Sequence, residues 1–396
     1  MRLLSRVLAG LGLTAALIVP AAASARPNHH IGFRPHHHIG LGQRGGDVYV
    51  NDNTASANTV AAFHRAPDGR LIPLPGSPIH TGGAGTGTAL GSEGALQSSF
   101  GGRYLLAVDA GSNQVSVLSV GRDGIPRPVP GGTVGSGGTQ PVSIAVHDDL
   151  VYVANAGGAQ PDYTGFRLGW DGRLRPVPGS TVGLPAGSQP GDVLFNATGT
   201  KLAGTRVGTS LIDSFAVDRS GRLHAAPGSP LKAQGLGPFG SEFRPTDPNE
   251  LYVSNAHNVG AGTGTVSAFH VGRDGSLGSI GASPFADEQT APCWVEISHD
   301  GRFLFAVNTA QPSISSFAIN RDGSLTSLGA TQFRGNPTGL APTDARLSPD
   351  GRTLYVVDQG TAQVSGFAVN GGRLTELPSS PATLPAGATP FGIVVS

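Results

Sequence analysis

"DGRLIPLPGSP", residues 68–78, places a turn, a short apolar strand and a second turn in a row, and the chain writes this pattern seven times. The fuller copies are "DGRLRPVPGS" at 171–180, "SGRLHAAPGSP" at 220–230, "DGSLGSIGASP" at 274–284 and "GGRLTELPSSP" at 371–381. Weaker ones are "DGIPRPVPGG" at 123–132 and "DGSLTSLGAT" at 322–331. The first glycines of these turns fall at Gly69, Gly124, Gly172, Gly221, Gly275, Gly323 and Gly372, at steps of 55, 48, 49, 54, 48 and 49 residues. A period near fifty signals stacked units that cannot bury their faces alone and so form one body.

Each repeat carries three further apolar runs. The first ends in Asn or Asp before a turn: "DVYVNDN" from 47, "YLLAVDAGSN" from 104, "LVYVANAGG" from 150, "LYVSNAHN" from 251, "FLFAVNTA" from 303 and "TLYVVDQGT" from 353. Next comes an alternating run such as "QVSVLSV" at 114–120 or "QVSGFAV" at 363–369, the pattern of a half-buried strand. A Pro-led run opens most repeats: "PVSIAV" at 141, "PGDVLF" at 190, "PFGSEF" at 238, "PCWVEI" at 292 and "PTDARL" at 342. Four short antiparallel strands per repeat of this length make a propeller blade, so the fold expected is an all-β, seven-bladed β-propeller. The first repeat lacks its Pro-led strand, while an orphan "PFGIVV" stands at 390–395. That strand is expected to complete blade one and close the ring, pairing two edges that would otherwise be exposed. Blade four is the weakest copy, with "KLAGTRVGTSL" in place of the aromatic run.

Composition fits this organisation. The 61 Gly and 31 Pro recur at repeat boundaries, as turn chemistry requires. Charges balance at 26 against 26 and only 13% of residues are charged, which gives no footing for nucleic acid or an anionic membrane. Arg2 and Arg6 precede an apolar run, Val7 to Val19, and Ala23-Ser24-Ala25 supplies small residues for cleavage after Ala25. Residues 1–25 therefore read as a signal peptide, 26–44 as a His-rich flexible segment and 45–396 as one propeller, exported, soluble and monomeric. Cys293 is the single cysteine, so no intrachain disulfide forms, and it reads as a small buried residue.

In a propeller the first strand of each blade lines the central channel. Side chains at offsets two and four from its leading Pro face the same way. They are Ser143 and Ala145, Asp192 and Leu194, Gly240 and Glu242, Trp294 and Glu296, Asp344 and Arg346, and Gly392 and Val394. Blade two, with Glu93 at the Pro position, adds Ala95 and Gln97. Clustered carboxylates repel, which raises pKa values or invites a divalent cation, while Arg346 acts the other way. Glu242 and Glu296 are the candidate bases and Arg346 the candidate for stabilising negative charge. Asp192, Trp294, Asp344, Gln97 and Ser143 are the candidate ligand-binding groups. A channel of this kind is wet and polar whatever its function, so a purely structural reading stands beside the functional one. His29, His30, His36, His37 and His38 in "HHIGFRPHHHIG" form a metal-binding tract or simply a flexible terminus. The glycine-rich "GGAGTGTALG" at 82–91 lacks the Lys-Ser/Thr ending of a phosphate loop and reads as an interblade connection.

"SPDGRTLYVVD" at 348–358, "VYVAN" at 151–155 and the Asp-Gly turns together resemble the lactonase-like propeller family, which includes propeller-type phosphogluconolactonases and carboxymuconate lactonising enzymes. The likeness runs from about Asp47 to Ser396. It implies an Arg-His pair after the Pro of a middle blade, where this chain has Phe239 and Gly240. It implies a His in the preceding blade, where Gly191 and Asp192 stand, and a Glu at Ala256. Two readings follow: a scaffold binding a small molecule, polymer or protein on one face, or a lactone hydrolase or lactonising isomerase whose site has moved to Glu242, Glu296 and Arg346. No cofactor is required by either. A structural role at the cell surface, carried by the outer blade faces, is neither supported nor excluded by these residues.

Overall fold

The computed structural model describes residues 45–335 and 338–396. The signal-peptide and His-tract readings lie outside the described residues. Seven antiparallel sheets follow one another along the chain. Six of the inner strands come first in their blade: Leu96–Ser98, Pro141–His147, Pro190–Phe195, Pro238–Arg244, Pro292–Ile297 and Pro342–Leu347. Blade one takes its inner strand, Ile393–Val395, from the far end of the sequence. Each inner strand lies against that of the next blade, through all seven and back to the start. Among the described residues the helical structure is two single 3-10 turns, Phe100–Gly102 and Val207–Thr209, and no helix is long and apolar enough to cross a membrane.

Ring closure follows the expected register. Val48 pairs with Val395, Tyr49 with Val394 and Val50 with Ile393. The pairing extends to Thr389 N donating to Asp52 O at one end and Ser396 N to Asp47 O at the other.

The repeated "DGxL" turn and the repeated Tyr belong to one interaction. The hydroxyl of a second-strand tyrosine donates to a main-chain carbonyl in the Asp-Gly turn of the next blade: Tyr49 to Gly124 (2.7 Å), Tyr104 to Trp170 (2.7 Å), Tyr152 to Gly221 (2.7 Å), Tyr252 to Gly323 (2.9 Å) and Tyr355 to Gly69 (2.7 Å). Five of the six tyrosines are spent on these seams. All seven turn glycines have φ between +72° and +88°, a conformation that a Cβ disfavours, which fixes glycine at that place. The "GSP" that follows also has a use. Beyond its first three residues the outer strand leaves the sheet, and a serine Oγ accepts the orphaned N–H of the third strand. Ser77 takes Ala62 N, Ser180 takes Gly165 N, Ser229 takes Ser214 N, Ser283 takes Ala268 N and Ser380 takes Gly366 N. Two further residues then rejoin the third strand, as Ile79–His80 does in blade one. Blade six lacks the motif and runs its outer strand unbroken over Leu325–Gln332.

Blade four is a complete blade whose chemistry has been exchanged. Arg206 replaces the terminal Asn of the second strand and forks onto Asp213, Nε to Oδ2 at 2.6 Å and Nη2 to Oδ1 at 2.5 Å. Tyr163 OH also donates to Asp213 Oδ2. Lys201 Nζ donating to Arg273 O, and Ser214 Oγ to Gly275 O, replace the missing tyrosine stitch. Blade two corrects the sequence reading: its inner strand is shortened to Leu96–Ser98, and Glu93 lies ahead of it rather than at a strand's leading position.

Two outcomes test this account. Deleting residues 390–396 strips blade one of its inner strand, and the melting temperature is expected to fall by at least about 10 °C. Tyr152→Phe leaves the buried Gly221 carbonyl without its donor and is expected to cost about 1 to 2 kcal/mol in urea unfolding, with the m-value unchanged.

Candidate functional site

Inner strands are bulged after their leading residues in blades three to seven, and beyond the bulge the register is shared. Ala145, Glu242, Glu296 and Arg346 sit opposite Tyr152, Tyr252, Phe305 and Tyr355, the same rung of blades three, five, six and seven. Glu242, Glu296 and Arg346 therefore meet as the sequence predicts. Arg346 Nη1 lies 3.0 Å from Glu296 Oε2 and 3.7 Å from Glu242 Oε2, and its guanidinium stacks over the Trp294 ring at 5.0 Å. Glu296 spends its other oxygen on Leu347 N at 2.9 Å. Arg346 and Glu242 keep 25% and 19% side-chain exposure, whereas Glu296 is buried, so the first two can meet a solute.

The remaining candidates hold blades together. Asp192 accepts Ser143 Oγ (3.2 Å) on one oxygen and Ser241 N (2.9 Å) and Oγ (2.6 Å) on the other, linking blades three, four and five. Asp344 Oδ1 accepts Gly94 N at 3.1 Å, linking blade seven to blade two. Gln97 stands just below, its Nε2 2.9 Å from where a Cβ on Gly94 would be. Trp294 is buried beneath Arg346, and its indole N–H has no partner. Among the described residues no three His, Cys, Asp or Glu side chains gather closely enough to hold a metal ion by themselves.

The leading-Pro end of the channel carries a feature that the offset count did not reach. A cavity of about 290 Å³ opens there among blades three to five, lined by Gln140, Gln189, Pro190, Val207, Phe239 and His257 with parts of Gly91, Val142 and Ala156. Phe239, Val207 and Ala256 pack together at its wall, with Cys293 against them. The Phe239 and His257 rings lie 6.5 Å apart. Cys293 is half-buried, and burial pushes its thiol up to about 11, which favours the thiol over the thiolate at neutral pH. His257 follows the "VSN" strand end and Gln140 and Gln189 precede the leading Pro. All three lie outside the strands whose alternation was counted, and the recurrence of Gln before Pro141 and Pro190 was the signal available.

Burial dominates the channel's proton chemistry. It raises Glu93 well above the carboxylate range, Asp192 and Asp344 to about 6, and Glu242 to about 8. Arg346 lowers Glu242, while Glu296 and Asp192 add to the rise. Because the folded state holds these protons above the pKa near 4 of the unfolded chain, their contribution to stability is full below about pH 4 and is lost as pH rises to about 8. In buffers containing EDTA, the melting temperature is expected to fall between pH 5 and pH 8, and Glu242→Gln, which mimics the protonated acid, is expected to fall less.

Residues 243–394 match the model of the family described as "Lactonase, 7-bladed beta-propeller". No curated protein matches the sequence. Among solved structures, a candidate 6-phosphogluconolactonase from Bacteroides uniformis is similar at 21% identity and a TM-score of 0.68, over 89% of this chain and 99% of that one. The periplasmic gluconolactonase of Pseudomonas aeruginosa is similar at 17% identity and 0.68, again over 89% and 99%. A Staphylococcus aureus virginiamycin B lyase is similar at 14% identity and 0.51, over 78% and 90%. At these identities the likeness carries the fold alone. Taken with the repeat and the ring, the chain is a seven-bladed β-propeller whose residues 243–394 are similar to the lactonase family of that fold.

Proposed function

We propose that the protein is an exported binding propeller that takes a small, uncharged ring molecule, a lactone or sugar, at the leading-Pro end of its channel. The observation that carries this reading is the 290 Å³ cavity lined by Gln140, Gln189, Phe239 and His257. Its volume suits one small ring. Phe239 and Val207 offer apolar surface to a ring face, while the two amides and the imidazole offer hydrogen bonds to hydroxyl or carbonyl groups. Among the described residues no Lys or Arg lines it, so a phosphate or carboxylate would find no counter-charge among them. The similar periplasmic gluconolactonase supports a ligand of that class. Phe239, Gly240, Gly191 and Ala256, standing where the family resemblance implies Arg, His, His and Glu, support binding without the family's catalysis. Export rests on Arg2, Arg6, the Val7 to Val19 run and Ala25.

A second reading is favoured by one observation. Glu242, raised to about 8, holds a proton at neutral pH while standing 3.7 Å from Arg346, both partly exposed. That pair could protonate a ring oxygen and hold the developing anion of an opened lactone.

Both are tested by one panel of aldonolactones and free sugars, scored for binding by calorimetry and for hydrolysis by acid release. Saturable binding without accelerated hydrolysis is expected, with Phe239→Ala and His257→Ala each weakening it at least about tenfold, or 1.4 kcal/mol. Hydrolysis that Glu242→Gln or Arg346→Ala abolishes would establish the second reading instead. Binding indifferent to Phe239 and His257 would remove the first.

A further inference from the structure

The repeat is broken at one exposed place. Two residues ahead of each turn glycine the chain meets solvent in every blade. It carries Arg122, Arg219, Arg273 and Arg321 there in four blades and Pro67 and Asn370 in two, but Trp170 in blade three. The turn is pinned through the Trp170 carbonyl, which accepts Tyr104 OH at 2.7 Å, while the residue as a whole is 86% exposed. An indole left in water forgoes the burial that so large a side chain gains. The arginines of four other blades show that the turn itself does not require one.

Blade three departs from the pattern a second time beside that tryptophan. Asp148 and Asp149 make up the whole connection between its inner and second strands, whereas five residues make this connection in blades two, four, six and seven. The short turn sets the corner of the blade back. A groove of about 340 Å³ lies there, between Asp148 and Asp149, the 99–103 turn of blade two and Trp170. Tyr104 and Leu168 form part of its lining, and the exposed Arg103 guanidinium stacks over the Tyr104 ring at 5.3 Å. Asp149 Oδ1 accepts Arg167 Nη1 at 2.7 Å, while Asp148 is 70% exposed, with His147 Nε2 3.6 Å away. Arg167 thus offsets Asp149, and Arg103 stands against Asp148, so the groove offers no excess of either charge.

That balance favours a neutral ligand over a phosphate-linked chain, which needs a basic groove. A protein partner needs roughly 1,000 Å² around an apolar centre. Among the described residues, however, the other exposed large apolar side chains, Ile72, Leu236, Val259 and Leu328, belong to blades one, five and six. One aromatic platform edged by carboxylates and a guanidinium suits a sugar. The C–H face of a pyranose packs on the indole, and its equatorial hydroxyls reach the acceptors and donors at the edge. β-1,4-Linked chains present such flat faces along their length.

We propose that Trp170, with Asp148, Asp149 and Arg103, forms a surface site for a β-1,4-linked pyranose oligosaccharide between blades two and three. It lies at the end of the blades away from the leading Pro and is independent of the ligand reading above.

The test uses the full chain with cellotetraose and N-acetylated chitotetraose as probes. The chain has two tryptophans, and Trp294 is buried, so quenching of the tryptophan fluorescence by acrylamide reports Trp170. Saturable binding of at least one probe in calorimetry is expected, together with protection of Trp170 from acrylamide. Trp170→Arg, which installs the residue of four other blades, is expected to melt within a few degrees of wild type and to weaken binding at least about tenfold, or 1.4 kcal/mol. Asp148→Ala is expected to weaken it at least about threefold. No binding of either probe up to about 10 mM would overturn the site. Undiminished binding by Trp170→Arg would overturn it equally, and binding lost in Phe239→Ala but kept in Trp170→Arg would place the sugar in the cavity instead. Should Trp170→Arg fail to fold, the wild-type protein still decides, because binding that leaves Trp170 open to acrylamide overturns the proposal.

Discussion

A blade of about fifty residues has two apolar faces and can cover neither by itself, so everything in this molecule depends on how one blade is fixed against the next. The tyrosine hydroxyl bound to a turn carbonyl of the following blade does this at five of the seven seams. It is buried and directional, and it reaches from the middle of one sheet to the outer corner of its neighbour. It therefore fixes the rotation between blades as well as their spacing. At the seam between blades four and five, Lys201 and Ser214 donate to main-chain carbonyls of the same kind of turn. At the seam between blades six and seven the second strand carries Phe303 and Phe305, and Phe303 packs so close to Gly372 that a Cβ there would lie 2.4 Å from its ring. That seam relies on fit, including the edge-on Phe333 and Phe367 rings 5.2 Å apart, and on Glu296 accepting Arg346 Nη1 and Leu347 N.

With rotation fixed at the outside, the inner strands have no freedom at the axis, and polar side chains are forced together there. Hydrogen bonding resolves part of this crowding. Asp192 and Asp344 each accept main-chain N–H groups from other blades, which turns two potentially repulsive carboxylates into fasteners. Ion pairing resolves another part through Arg346 and Glu296. The remainder stays as raised carboxyl pKa values, a standing electrostatic cost at neutral pH that the ring supports because its apolar seams are extensive.

The architecture was legible because it is periodic. The turn glycines set the blade count, and the unmatched "PFGIVV" showed where the ring closes. Alternation from a leading Pro found Glu242, Glu296 and Arg346, since a bulge that recurs in blades three to seven leaves their relative register intact. What periodicity could not show is whatever breaks it. Glu93 occupies the Pro position of blade two in sequence, yet without the Pro the chain is free to turn inward there. His257 and Gln189 lie in turns, where no period assigns a direction. The same method missed that Asp192 and Ser143 satisfy each other, because partnership across blades depends on ring curvature and not on spacing along the chain.

The channel also contains two unlike environments. Gln189 and Pro190 line the cavity at the leading-Pro level, Asp192, Asp344 and Glu93 occupy the level two residues below, and Glu242, Glu296 and Arg346 the level two below that. Ser92 to Gly94, bonded to blades three, four and seven, lies between the outer two levels. Above it the lining is apolar with neutral hydrogen-bonding groups, and below it the lining is charged. The same three residues tie blades three, four and seven together across the channel, and the burial of the carboxyl groups around them raises their pKa values.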